Sequence, residues 1–270
     1  MSSELILHVD DQEFHLGYSR IASYQTCPRQ FYYSYIEGHR SKPNVAMRRG
    51  TAYHNTLEEM LKHKMKFGSD MHPDVADRVA LKHGKAEDLS QAEIYKVIDA
   101  VRFYYSEMYE RHKPLAVEES FEIVRGGVKI TGRIDLVETT GVITDHKFSY
   151  DTWAESRARF GVQPIIYQWA GIDYISPKYN VAYSGFSYNI IRLWPSPLMQ
   201  VIHIPKIEQS HSDWWEEQVA HIASSIRSGS FPANPSDKIC GFCSHKELCR
   251  PCIYDIQITK LGLQDELDED

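Results

Sequence analysis

Residues 132–147 run Gly132-Arg133-Ile134-Asp135, then nine residues, then Asp145-His146-Lys147. Nothing else in the chain restricts its fold as closely. The triplet Thr139-Thr140-Gly141 lies between two β-rich runs and predicts a tight hairpin. A strand's period of two puts Asp145 and Lys147 on one face, and pairing around the turn lets Asp135 reach that face as well. The fold must then be a sheet built around this hairpin, carrying two carboxylates and an ammonium group together. Carboxylate oxygens are hard ligands that suit Mg²⁺. A neighbouring lysine can orient or deprotonate a water, or neutralise a phosphate. The chemistry indicated is metal-assisted cleavage of phosphodiesters.

The flanking sequence sets the hairpin in a mixed chain. Residues 4–16 alternate as a short hairpin with Asp10-Asp11 at its turn. Residues 20–37 carry a helical pattern, interrupted after Cys27 by Pro28. Helices are predicted from Gly50 to about Phe67, over about 70–85, and from Ser90 to His112. The last of these has Ile94, Val97, Ile98, Val101, Tyr104, Tyr105 and Met108 at helical spacing. Strands follow at 116–124, 128–138 and 142–148, linked by Gly126-Gly127 and Thr140-Gly141 turns. Residues 151–175 return to helix with an interruption near Gly161. Residues 181–191 and 199–205 are two further strands, and 211–228 a helix. The expected fold class is α/β, with a mixed central sheet flanked by helices.

Net charge decides less than it first suggests. The formal charge is −7, awkward for a partner of nucleic acid. Five of the negative charges fall in the last six residues, at Asp265, Glu266, Asp268, Glu269 and Asp270. Without them, 30 Lys and Arg face 32 Asp and Glu. The remainder is near neutral, with basic clusters at Arg40/Lys42/Arg48/Arg49, Lys62/Lys64/Lys66 and Arg157/Arg159. At 42% apolar and 25% charged the composition is that of an ordinary globular protein. No apolar run approaches the roughly 20 residues that span a bilayer, and the N-terminus has no signal-type apolar segment. A cytoplasmic setting is expected, that of the host if the protein is viral.

The five cysteines, without secretory context, argue for metal or redox use rather than disulfides. Four lie in Cys240-Gly-Phe-Cys243-Ser-His-Lys-Glu-Leu-Cys249-Arg-Pro-Cys252, and the fifth in Thr26-Cys27-Pro28. Four local thiolates would satisfy tetrahedral zinc. An iron–sulfur cluster also takes four. Spacing alone does not choose between them, and His245 within the loop is a candidate substitute ligand, though a solvated side chain is the expected reading.

Together these pieces resemble the RecB-like nucleases of the PD-(D/E)XK superfamily, in the branch with an iron–sulfur cluster. That branch includes the AddB nuclease domain and the small nucleases of CRISPR adaptation. The resemblance runs from about residue 18 to 252, with the motifs in the family's order. Ser19 to Tyr33, with Tyr24, Cys27-Pro28, Phe31 and Tyr33, looks like the family's opening motif, where the cysteine is the first cluster ligand. Gly50-Thr51-Ala52-Tyr53-His54 resembles the motif whose histidine ligates a catalytic metal. Asp135 matches the second-motif acid, and Asp145-x-Lys147 the third, with Asp where many relatives have Glu. Gln163-Pro-Ile-Ile-Tyr167 resembles the helix motif that contacts DNA or positions the lysine. The resemblance also implies a role for the His146 backbone carbonyl in the metal shell, and an acid from among Glu118, Glu119 and Glu122, with Glu119 the first choice. Finally, it implies that Cys27, Cys240, Cys243 and Cys249 hold a 4Fe-4S cluster joining both chain ends, with Cys252 surplus or an alternative to Cys27 in a local zinc knot.

The implied fold is restriction-endonuclease-like. Its expected divisions are an N-terminal hairpin (1–17), a helical region (18–113), a nuclease core (114–231), a Cys-rich iron–sulfur subdomain (232–253) and an acidic tail (254–270). The implied activity is that of a DNA exonuclease, with endonuclease capacity open, acting on single strands or ends with one or two Mg²⁺ or Mn²⁺ ions. Its setting would be recombination-repair, CRISPR adaptation or viral DNA processing. A helicase, a CRISPR integrase or further copies of the chain are the partners this suggests. The competing reading is an iron–sulfur or zinc DNA-binding adaptor whose nuclease activity is secondary or lost.

Overall fold

A computed structural model of the chain describes residues 14–39 and 41–250. The expected hairpin at 4–16 therefore lies almost wholly outside the described residues, as do Arg40, Cys252 and the acidic tail. In chain order the elements are β1 (His15–Leu16), α1 (Tyr18–Thr26), α2 (Pro28–Phe31), α3 (Val45–Phe67), α4 (Pro73–Ala86) and α5 (Gln91–Glu107). There follow β2 (Pro114–Arg125), β3 (Val128–Glu138), β4 (Val142–Phe148), α6 (Glu155–Arg159), α7 (Val162–Ala170) and α8 (Ser176–Tyr179). The series closes with β5 (Gly185–Arg192), β6 (Leu198–Ile204), α9 (Gln209–Arg227) and α10 (Asp237–Gly241). No helix among the described residues is long and apolar enough to cross a membrane.

The chain forms two compact units. The larger comprises Pro43–Arg125 and Lys129–Trp215. Its sheet pairs β2 with β3, β3 antiparallel to β4, β4 parallel to β5, and β5 antiparallel to β6. The parallel step needs a crossover, which α6, α7 and α8 supply. β5 is buried at seven consecutive positions, as a strand covered on both faces must be. The β3–β4 register pairs Leu136 with Thr144 and Val137 with Ile143, so the turn falls at the expected triplet.

Three helices form the rest of this unit. Asn44 caps α3 by accepting from the Met47 N–H, which starts the helix five residues earlier than its apolar pattern suggests. Gly68 ends it in the left-handed conformation. Ser90 caps α5 with Glu93 three residues on. The apolar faces of α3, α4 and α5 share one core that includes Tyr53, Leu57, Met60, Val97 and Val101.

The smaller unit draws its described residues from segments on either side of the larger one, within Met1–Lys42, Gly126–Val128 and Glu216–Asp270. Pro28 breaks the N-terminal helix as expected, at the N-terminus of α2. The rings of Tyr24 and Phe31 pack on each other and on Phe231. The Tyr24 hydroxyl donates to the Ser230 carbonyl at 2.7 Å, and the Tyr33 hydroxyl to that of Leu248 at 2.9 Å.

Candidate active site

Four elements of the larger unit converge. α3 carries His54, β2 carries Glu118, β3 carries Asp135, and β4 carries Asp145 and Lys147. The register places Asp135 one step beyond the Leu136–Thr144 pair, level with Asp145. His54, Glu118 and Asp135 each offer a ligand atom, and the three atoms lie within 4.8 Å of one another. An ion binding each oxygen at about 2.0–2.6 Å can bridge such a set. One imidazole beside carboxylates tilts the donor chemistry toward Mn²⁺ as well as Mg²⁺. The residues present thus fit a divalent cation.

Asp135 Oδ2 sits 3.3 Å from His54 Nδ1 and accepts from the His146 backbone N–H at 2.9 Å. Burial opposes its ionisation, yet the neighbouring His54 outweighs this and holds the carboxyl well below the usual range. For His54, burial disfavours the imidazolium, but the Asp135 charge and hydrogen bond prevail and raise its pKa. Asp145 is pushed the other way. Its burial and the Asp135 charge raise it, against the pull of Lys147. Lys147 Nζ lies 2.6 Å from Asp145 Oδ2. The two carboxylates thus differ in affinity for protons, a common arrangement in catalytic sites.

Gln163 and Tyr167 both point inward from α7, whose first turn accommodates Pro164. Gln163 Nε2 donates to Asp145 Oδ1 at 2.5 Å, while its Oε1 accepts from the Tyr188 hydroxyl at 3.2 Å. Tyr167 donates to the Arg133 carbonyl at 2.9 Å. Its phenol is raised far above 10 by burial and the nearby carboxylates, so it stays neutral. The His146 side chain is buried against the rings of Tyr104 and His112. Burial and the His112 charge push its pKa down to about 3. The imidazole is part of the core, facing away from the acids.

One expectation is corrected. Glu119 does not face this site: its carboxylate is bound by Lys178, Tyr174 and Tyr179. Glu118 is the acid that joins His54 and Asp135. It adopts φ 54° within β2, a conformation rare for a side chain of this size, and pairs with Arg133 Nε at 2.6 Å. The alternation of β2 is broken there, which is why residue order could not rank the adjacent glutamates. Burial and the Asp135 charge push Glu118 up to about 7. Glu122 pairs with Lys129.

In the smaller unit, Cys27, Cys240, Cys243 and Cys249 line one small cavity. All four are free thiols. Burial raises the Cys243 thiol, and the other three cysteines add to the effect. Four thiols converging on a cavity fit either a cluster or a zinc ion. His245 instead hydrogen-bonds Ser34 at 2.8 Å.

A family model described as the PD-(D/E)XK nuclease superfamily matches residues 15–250. Among solved structures, a chain from Eubacterium rectale named "Putative exonuclease" superposes with a TM-score of 0.59 at 10% identity, covering 94% of this chain and 93% of that one. At that identity the likeness is one of fold. SSO0001 aligns with a TM-score of 0.31 at 12% identity, over 83% of this chain and 94% of its own, too weak to carry an argument. No curated protein matches the sequence.

Proposed function

This chain belongs to the PD-(D/E)XK nuclease superfamily, and from that premise we propose that it is a Mg²⁺- or Mn²⁺-dependent deoxyribonuclease of the RecB-like, iron–sulfur branch. The carrying observation is the convergence of His54, Glu118 and Asp135 beside the Asp145–Lys147 ion pair. His54, Asp135 and Asp145, with Glu118 and the His146 carbonyl, would hold one or two ions. A bound ion supplies Lewis acidity toward a phosphate oxygen and lowers the pKa of water. The side chains do the rest. Lys147, beside Asp145, offers a cation to the phosphate or orients the attacking water. Gln163 fixes the Asp145 carboxylate. His54 must surrender its proton to become a ligand, which makes binding dependent on pH.

Exonucleolytic action on single strands or ends fits this site, and the Eubacterium rectale chain of like fold is named for exonuclease activity. We read residues 114–231 as the nuclease core and 232–253, with Cys27, as the cluster subdomain. Cys27, Cys240, Cys243 and Cys249 would hold the 4Fe-4S cluster, with a structural role. Cleavage of 5′- and 3′-labelled strands, anaerobically with Mn²⁺ and again with EDTA, tests the activity and its polarity. Asp145→Ala and Lys147→Ala are expected to abolish cleavage while leaving the fold intact. Undiminished cleavage by both would sink the assignment, and an inactive wild type that still binds DNA would favour the adaptor reading.

A further inference from the structure

Where the chain leaves β4, one to three residues beyond Lys147, the larger unit opens into a cavity of about 540 Å³. Three extended residues span at most about 10 Å. The volume falls in the range of ligand sites, about 300–1,000 Å³. Phe148 and Tyr150 line it as the chain leaves β4, and Leu193 and Trp194 line it beyond β5. Their positions are tied together, since the Ser149 N–H donates to the Ile191 carbonyl at 2.9 Å. Arg49, one and a half turns before His54 on α3, supplies the floor. Its guanidinium lies 4.7 Å from the Tyr150 ring centroid and 5.6 Å from that of Phe148.

The aromatic surface here is open. Trp194 is 75% exposed and Tyr150 is 59% exposed. A single exposed aromatic needs no explanation, but two lining one cavity beside a catalytic hairpin mark a binding surface. The charges at the cavity nearly balance. Arg49 and Lys96 share Glu93, each at 2.7 Å, and Asp99 lines the cavity too, with Arg102 at 3.9 Å. What the cavity offers a ligand is therefore flat π faces backed by a planar cation, more than a positive field. Unpaired bases present matching faces, whereas bases in a duplex are stacked on one another.

We propose that the cavity bounded by Arg49, Phe148, Tyr150 and Trp194 is a base-stacking subsite for single-stranded DNA running to or from the catalytic hairpin. The inference rests on the nuclease reading above and deepens it by naming the strand form that the site takes. Tyr150 and Trp194 stack on bases, and Arg49 holds the tyrosine ring in place from its other side.

The test is the fluorescence anisotropy of a labelled oligothymidylate with the full chain in EDTA, so that binding is read without cleavage. Trp194→Ala and Tyr150→Ala are each expected to weaken binding about 5- to 150-fold. Trp194→Phe should restore most of the loss. Affinity for an abasic strand of equal length should be unchanged, as should the salt dependence of binding, because no phosphate contact is removed. An unaltered Kd for oligothymidylate in both alanine variants overturns the subsite, and so does an equal loss with the abasic strand. Mn²⁺-dependent cleavage by the wild type is read separately. Its absence counts against the nuclease reading, whereas intact cleavage with an unaltered Kd counts against the subsite alone.

Discussion

Glu118 is where single-residue chemistry has the clearest consequences. Its folded-state carboxyl is raised from 4.5 to about 7 by burial and by Asp135. A raised acid favours the fold while protonated, so its contribution is full below about pH 4.5 and lost as pH rises through about 7. Glu118→Gln should therefore stabilise the metal-free protein at pH 8 relative to wild type and change little at pH 5, as melting curves in EDTA will show. His146, buried and held down to about 3, acts in the opposite sense, losing stability as pH falls below 6.5. Comparing the variant with wild type at each pH cancels that background. The same residue governs metal affinity, since only the carboxylate is a ligand. Calorimetric titration with Mn²⁺ should show wild-type affinity rising by about a hundredfold per pH unit where both Glu118 and His54 must lose a proton, and that of Glu118→Gln by only about tenfold, the share due to His54. Gln163 acts one step removed. Its loss in Gln163→Ala frees Asp145 Oδ1 and should reduce metal affinity or cleavage by about 10–100-fold with Asp145 itself intact. An unaltered Mn²⁺ titration and cleavage rate would show that the hydrogen bond positions nothing.

At the scale of elements, the β3–β4 hairpin depends on its turn. Gly141 has φ 82°, and a Cβ there would meet the Ala182 carbonyl oxygen at 1.9 Å. Gly141→Ala combines a backbone conformation that side chains rarely adopt with a clash that only backbone movement relieves. It should cost at least about 2 kcal/mol, read as a lower urea midpoint. The cysteine cavity is likewise a property of elements, because Cys27 precedes α2 whereas Cys240 ends up beside it from α10. Protein purified anaerobically is expected to be brown and to carry iron. Cys27→Ser and Cys249→Ser should both bleach it, and a colour that survives Cys27→Ser would transfer the fourth ligand position to Cys252. The helix expected as far as residue 175 takes a π-type turn over Gly171–Ile175. Gly171 leaves room for the Tyr183 ring, which lies 2.3 Å from where a Cβ would stand.

For the molecule as a whole, a metal ion and protons compete for one set of side chains. The rise in melting temperature caused by Mn²⁺ should be small at pH 5 and grow as pH passes about 7, because binding stabilises only as far as the ligands are deprotonated. A shift independent of pH would place the ion elsewhere. Much of this was legible in the sequence. The hairpin, its turn and the shared face of Asp145 and Lys147 follow from a period of two and one glycine, which are local properties. His54 and the helix carrying Gln163 could be placed by resemblance, because their spacing along the chain is retained. Long-range geometry was not legible. No local rule chooses Glu118 over Glu119, since a left-handed residue within β2 decides which of them faces Asp135. Nor does any motif join Phe148 and Tyr150 to Trp194 and Arg49, for three separate segments meet there only once the sheet is formed. The sequence by itself determined which groups could do the chemistry. The tertiary structure alone decided which of them share a few ångströms, because burial and neighbouring charge act through space and not along the chain.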